Sequence, residues 1–492
     1  NKPQQQYLIK KGHAEISGLA FDVSGNYQAD SAYCDLKING NDLQLNHVFT
    51  VFPSVFFEKF SEYKSDGVLS FNSTILGRAS KAQVPQIDAS FSIEKGEMTE
   101  SSSGVKLTNV NFQGELTNSG FGELEISELS GELLNSKFSG TISVDNFDEP
   151  DVDLKLKGNV DLASLQDFFR FEALDYLNGK VNFDTRIKGR SVDGSFKTKS
   201  SKGEFVASNV NLKTNINALE YTDLNGTFKL RKGAAHIENC SGNIFNSDFN
   251  FVGILKNFLP YLLSKDQNLT IEADLDSKHI DLSKIMRMAA SANAKRPAAP
   301  SSIFPGNLAF NLNTTIKQLQ YGKFDAKDLR GRAVLKHRIL KASNVRFKAN
   351  DGTYRATCEF DGSNPNNYLF TSSAKVRNVN VTDFFTEFDN FGQEFVTENN
   401  IKGRANANVD FACGLDNGFL IKKHSIVGTF DLDVSNGELV ELGILKDIAD
   451  YINDHKLISK FVNTDKMSQK IKHVRFSDLS NTIQIHDEKI YI

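Results

Sequence analysis

Residues 161–189 read Asp161-Leu-Ala-Ser-Leu-Gln-Asp-Phe-Phe169, then Arg-Phe-Glu-Ala-Leu-Asp-Tyr-Leu, then Asn178-Gly-Lys-Val-Asn-Phe-Asp-Thr-Arg-Ile-Lys-Gly189. The first part places Leu165, Phe168, Phe169 and Leu174 near helical spacing. The last part alternates: Val181, Phe183 and Ile187 are separated by polar residues, the period of a strand with one apolar face. This pattern, an Asp-Leu, a short Phe/Leu-rich stretch, a Gly and an alternating strand, recurs. It runs from Asp42-Leu43 through Gly67 and Phe71 to Gly77, from Asp281-Leu282 through Gly306 and Phe310, and from Val381-Thr-Asp-Phe-Phe385 through Gly403 to Phe411. Starts at Asp42, Asp161 and Asp281 lie about 120 residues apart, and the last copy is shorter, about 100. A second pattern interleaves with it: Asn109-Val-Asn-Phe-Gln-Gly114, Thr222-Asp-Leu-Asn-Gly226 and Lys327-Asp-Leu-Arg-Gly331 each read as the opening of a strand. Gly131 to Gly140 and Gly242 to Gly253 each read as a strand, a small-polar turn and a returning strand.

The same alternation extends over most of the chain. Its apolar members are Ile87, Phe91 and Ile93; Leu154 and Leu156; Val181, Phe183 and Ile187; Leu269, Ile271 and Leu275; Leu308, Phe310 and Leu312; Val409 and Phe411; and Phe430, Leu432 and Val434. Antiparallel strands covered on one side read this way. The expected fold is therefore mainly β: an elongated, curved antiparallel sheet or gutter, a β-groove built from about four repeats of 100–120 residues, with short amphipathic helices between or capping the repeats. At about 4.8 Å per strand, 25–30 strands extend on the order of 120–140 Å. The repeats divide the chain into a partial N-terminal repeat (1–80), β-groove repeats at 81–190, 191–322 and 323–425, and a C-terminal segment (426–492). The Ala/Pro-rich stretch 289–305 is read as a flexible loop inside the third of these.

Composition narrows the function. Of 492 residues, 57 are Lys or Arg and 61 are Asp or Glu, so bulk basic charge for nucleic acid is excluded. Nine His are scattered without metal-ligand spacing, and the four Cys (Cys34, Cys240, Cys358, Cys413) form no C-x-x-C pair. Cys413, in phase with Phe411 and Val409, is read as a buried thiol on an apolar face. Asp151 and Asp153 share a polar strand face and read as solvated. No nucleophile elbow, phosphate loop or metalloprotease motif is present, and the chain reads as a non-enzyme without cofactor or metal. The densest apolar segment, residues 48–60, is interrupted by Pro53 and charged residues and is too short to span a bilayer. Both ends read as cut, which leaves room for an anchor outside these residues.

Further amphipathic segments fall at 48–60, at Phe384, Phe385, Phe388 and Phe391, and at Leu445 to Phe461. They are too few to cover such a sheet, which leaves an apolar face seeking a ligand. With 39 Phe and no Trp, that face suits acyl chains better than sugars. Moving a diacyl lipid of about 30 CH₂ groups through water costs more than about 20 kcal/mol, a cost that a continuous apolar slot removes without catalysis.

The run Ile426-Val-Gly-Thr-Phe-Asp-Leu-Asp-Val-Ser-Asn-Gly-Glu-Leu-Val440, with Val474-Arg-Phe-Ser-Asp-Leu479 and Thr482-Ile-Gln-Ile485 after it, resembles the C-terminal region of AsmA proteins. The repeated Asp-Leu…Gly-x-Val-x-Phe units are similar to the rest of an AsmA-like chain. The resemblance implies a bridge-like, repeating β-groove protein of Gram-negative bacteria. It further implies a periplasmic body anchored in the inner membrane through an N-terminal helix not contained in this chain, phospholipid or another acyl-chain lipid as cargo, and a possible outer-membrane partner. It implies no catalytic residues. The competing expectation is a structural scaffold, or an assembly scaffold for outer-membrane proteins, without lipid cargo.

Overall fold

The computed structural model describes residues 5–16, 18–47, 63–80, 83–134, 136–169, 171, 174–193, 195–214, 219–264, 267–294, 304–392, 396–441, 443, 447, 451 and 472–491. The amphipathic segment 48–60, most of the C-terminal one, and residues 295–303 of the Ala/Pro-rich stretch lie outside them. The chain is mainly β and divides into two compact units. Residues 1–213, 222–240 and 254–267 form the first, and residues 214–221, 241–253 and 268–492 form the second.

In the first unit, ten strands follow one another as an antiparallel meander. They are β1 (Gln6–Ile16), β2 (Leu19–Gln28), β3 (Tyr33–Gln44), β4 (Tyr63–Arg78), β5 (Gln86–Glu100), β6 (Lys106–Thr117), β7 (Glu123–Leu133), β8 (Ser136–Asp145), β9 (Asp151–Asp161) and β10 (Leu174–Val192). Helix α1 (Leu162–Phe169) connects β9 to β10. Strands β11 (Ser195–Thr214), β12 (Glu220–Arg231), β13 (Ala234–Ile244) and β14 (Ser247–Lys256) each contribute residues to both units, and helix α2 (Phe258–Leu263) belongs to the first. The expected hairpins at 131–140 and 242–253 are the β7–β8 and β13–β14 turns, with Leu134 and Phe245 at positive φ.

The second unit holds β15 (Leu269–Asp281), α3 (Leu282–Ala294), β16 (Leu308–Tyr321), β17 (Phe324–Lys336), β18 (Ile339–Ala349), β19 (Gly352–Asp361), β20 (Tyr368–Asn380), α4 (Val381–Glu387), β21 (Ile401–Leu415), β22 (Val427–Val440), β23 (His473–His486) and β24 (Lys489–Tyr491). From β16 onward the order is again an antiparallel meander. One pair departs from the antiparallel expectation: β15 and β16 are parallel, Leu269 opposite Leu308 and Ile271 opposite Phe310. A parallel pair needs a crossover of a dozen or more residues. The connection between Asp281 and Leu308 supplies it and carries the 13-residue helix α3, about 20 Å long at 1.5 Å per residue.

At Asp161 and Asp281 the recurrent Asp-Leu is a strand end followed by a helix cap, whereas Asp42 lies inside β3 where the pairing register shifts. Asp161 Oδ1 accepts from the backbone N–H groups of Ala163 and Ser164, and Asp281 Oδ1 accepts from that of Lys284. Asn380 does the same for α4, accepting from Thr382 and Asp383. These oxygens satisfy N–H groups that have no partner within the first helical turn.

The second motif does not open strands, as its sequence suggested. Asn109, Asp223 and Asp328 lie inside β6, β12 and β17 at φ of 51°, 53° and 53°. Asn109 and Asp328 fall where the pairing register shifts, and such shifts recur at Asp42, Lys95, Glu128, Asn344 and Asn378. They are β-bulges, which bend a strand and tighten its twist. Asn and Asp tolerate the left-handed region better than most side chains. At Gly67 the pairing shifts with φ at 127°, a conformation open only to glycine, which explains the Gly of the repeat there.

Candidate functional site: the apolar sheet face

Antiparallel partners share a face, so the registers decide where each apolar residue sits. In the first unit Ile87 lies opposite Ile75, Phe91 opposite Phe71, and Ile93 opposite Leu69 and Phe112. Leu154 lies between Ile142 and Ile187, Leu156 between Gly140 and Thr185, Val181 opposite Val160, and Phe183 opposite Gly158. Following these pairs from β1 to β10 keeps to one face, and that face is apolar. In the second unit Leu275 lies opposite Thr314, Phe310 opposite Leu335, and Leu312 opposite Ala333. Val409 lies between Ala374 and Phe430, Phe411 between Ser372 and Gly428, Leu432 opposite Ala407, and Val434 opposite Ala405. The row Leu335, Leu340, Phe360, Phe370 and Cys413 ties these strands into one apolar face.

Every residue singled out from the alternation therefore falls on the apolar face of its own unit. All of them are half-buried except Leu312, which is buried. Their polar neighbours Asn182 and Asp184, on either side of Phe183, are exposed. Among the described residues Phe168, at 2% exposure, is the only Phe that is fully buried. A chain with 39 Phe normally places many of them in a core. Here the rings lie along the sheet instead. Phe91 lies across Gly114, Phe138 across Gly131, and Phe476 across Gly437, each directly opposite on the neighbouring strand. A side-chain carbon on any of these glycines would come within 2.6 Å of the ring. The sequence carried this signal as Phe and Gly at matching offsets, and alternation alone does not reveal it.

The apolar faces are covered at their ends. In the first unit Phe168 on α1 stacks near Tyr63, ring centroids 5.0 Å apart, and its carbonyl accepts from the Tyr63 hydroxyl at 2.7 Å. Leu259, next to the start of α2, closes over Leu230 and Ala235, with Ile187 and Phe205 packed alongside. Leu19, Leu43 and Leu45 form a further small cluster against Phe71 and Ile93. In the second unit Val381 and Phe385 of α4 cover Val376, Val379, Ala405 and Ala407, while Phe324 packs edge-on to Phe347 and Tyr354. At the other end the loop after β21 lays Phe419 flat on Tyr368, 5.5 Å away. Cys413 is buried there as expected, and burial pushes its thiol up, away from the reactive thiolate.

The opposite face is polar. Asp151 and Asp153 lie on it, but they are ion-paired rather than merely solvated. Asp151 takes hydrogen bonds from Arg190 and Lys199, and Asp153 from Arg186 at 2.9 Å and 2.6 Å, with Lys188 at 2.7 Å. Open depressions of about 530 Å³ and 400 Å³ lie mostly on this polar side, lined by residues such as Asp88, Ser90 and Glu115 in the first unit and Thr357, Glu359 and Asp410 in the second. No enclosed chemistry is assembled there: among the described residues no group of three or more His, Cys, Asp or Glu could hold a metal. The faces set apart by the fold are thus one apolar and half-covered, the other polar and charged.

Comparison with protein-family models, with curated proteins and with solved structures found no match. Among the described residues, no helix is long and apolar enough to cross a membrane.

Proposed function

We propose that this chain is an AsmA-like lipid-binding protein. Its apolar strand faces hold the acyl chains of phospholipid and pass them between the inner and outer membranes of a Gram-negative cell. The observation that carries this reading is the half-exposed apolar face, continuous across the strands of each unit and rich in Phe. Uncovered apolar surface of this extent marks a site for an apolar partner. Each acyl CH₂ transferred from water onto such a face gains about 0.8 kcal/mol, so length and continuity of the face, rather than specific polar contacts, supply the affinity. Small lateral steps from one strand to the next then change little in free energy, which suits conduction better than tight storage. Headgroups remain in water beyond the apolar residues. The periplasmic location and an inner-membrane anchor outside these residues belong to the same proposal.

Native mass spectrometry with lipid extraction on detergent-free protein tests it. Phospholipid is expected to co-purify, and to be lost when Leu154, Phe183, Ile271 and Phe310 are changed together to Asp in a chain that keeps its strand content by circular dichroism. A folded, lipid-free protein that also takes up no fluorescent phospholipid would overturn the proposal in favour of a scaffold.

A further inference from the structure

Total charge is nearly balanced, yet beside the ion pairs like charges meet in rows on the polar faces. In the second unit, cations face one another directly across four strands: Arg330 opposite Arg346, Arg346 opposite Arg355, and Arg355 opposite Lys375. A second row runs beside it, with Lys327 opposite Lys348, and Thr353 between Lys348 and Arg377. All of these cations are exposed. Lys348 is paired with Asp328 at 2.9 Å, and Arg377 donates to the carbonyls of Val376 and Ala407. Arg346, Arg355 and Lys375 make no ion pair among the described residues, and Arg330 has Asp328 nearby. Like charges directly opposite on neighbouring strands destabilise a sheet, by a few tenths of a kcal/mol or more per pair. Four strands in succession carry that penalty, relieved at one end by Asp328 beside Arg330.

The complement is on the same chain. On the polar face of the first unit Glu115 lies opposite Glu125, and Glu123 opposite Asp145, with Asp88 one strand away across Thr117. All five are exposed, and Glu115, Glu123, Glu125 and Asp145 make no ion pair among the described residues. Rows of carboxylates and rows of cations therefore recur at the same interstrand spacing of about 4.8 Å. A chain that binds an external polyanion would carry a net cationic excess. This one has net charge −4 and carries unpaired rows of both signs instead.

We infer that the cationic rows of β17–β20 dock on the acidic rows of β5–β8 in a second copy of this chain. The contact is polar and exposed, so it is electrostatic, fast to form and salt-dependent. It leaves the apolar faces free, and it stands whether or not these bind lipid.

Sedimentation velocity of the full 492-residue chain tests it, at about 20 mM and about 500 mM salt, where the screening length falls from roughly 20 Å to roughly 4 Å. Self-association is expected at low salt, weakened at least tenfold at high salt. Reversing Arg330, Arg346, Arg355 and Lys375 to Glu should abolish it, as should reversing Glu115, Glu123 and Glu125 to Lys. Mixing the two reversed proteins should restore association between them, because the unaltered acidic rows of one then meet the unaltered cationic rows of the other. Combining both sets in one chain should restore it. Either set alone relieves like-charge opposition in the unbound sheet or replaces it in kind, so circular dichroism should report an intact fold. A monomer at low salt, or association unchanged by either reversal, would overturn the inference. Binding to anionic phosphatidylglycerol vesicles by a chain that stays monomeric, lost on reversing the cations, would overturn it in favour of a membrane surface.

Discussion

Phe168 and Phe183 sit 15 positions apart and illustrate two fates of one residue type. Phe168 is enclosed by Tyr63 and Phe169, 5.0 Å from each ring, and is 2% exposed. Replacing it by Ala should cost about 3–5 kcal/mol, as for other enclosed aromatic side chains. Phe183 already meets solvent, so its replacement by Ala should cost well under half of that, and urea denaturation of the two variants measures the difference. Asp161 makes a separate case. Its carboxylate caps α1 through Ala163 and Ser164, and Asp161→Ala should lower stability by about 1 kcal/mol in the same measurement. The ion pairs of β9 and β10 give a pH signature. The Arg190 guanidinium holds the Asp151 carboxyl at about 2, and that of Arg186 does the same for Asp153, against an ordinary value of 3.8. Folding thus favours the ionised forms. Their contribution is complete above about pH 4 and is lost as pH falls through the window from 4 to 2. Replacing both residues by Asn should flatten the pH dependence of the thermal midpoint in that window, by a modest amount because the pairs face solvent.

At the level of strands and helices, the bulges carry most of what the alternation did not reveal. The Lys95 backbone N–H, at a bulge in β5, donates to Asn111 Oδ1 at 2.9 Å. Asn209 and Asn378 donate in the same way to Asn225 at 2.9 Å and Asn406 at 3.0 Å. An Asn on the neighbouring strand therefore holds each of these three positive-φ residues. Asn111→Ala should cost about 1 kcal/mol and speed amide exchange at Lys95, which hydrogen-exchange mass spectrometry can follow. Strand periodicity was legible because half-covered strands must alternate, and the caps were legible because Asp precedes each helix start at Asp161 and Asp281. A bulge leaves a fainter trace, an apolar spacing of three in place of two, as from Ile126 to Leu129 or Val376 to Val379. Read without structure, the motif around Asn109 and Asp328 looked like a strand start, because Asn and Asp serve turns as well as bulges. The direction of β16 was not legible at all. Alternation is identical in parallel and antiparallel strands, and only the length of the connection from Asp281 to Leu308 hinted at a crossover.

Across the whole molecule, each unit divides labour between its two faces. Apolar side chains from successive strands of each unit line up on one side and, among the described residues, are covered near their ends, by α1, α2, α4 and the Phe419 loop. Charged side chains occupy the other side, with an acidic row across β5–β8 and a basic row across β17–β20. The candidate site was legible as a set of residues, because a single phase places them all on one face. The lipid role proposed for it rests on exposure, which the sequence does not encode directly: the same alternation would serve a closed sandwich. The measurement that separates these is photo-crosslinking from benzoylphenylalanine placed singly at Leu154, Phe183, Phe310 and Phe411, and at the polar-face neighbours Lys155, Asp184, Asn311 and Asp410, in cells with radiolabelled phospholipid. Lipid adducts confined to the first four positions are the predicted result. No adducts at any position, or equal labelling of both faces, would contradict it.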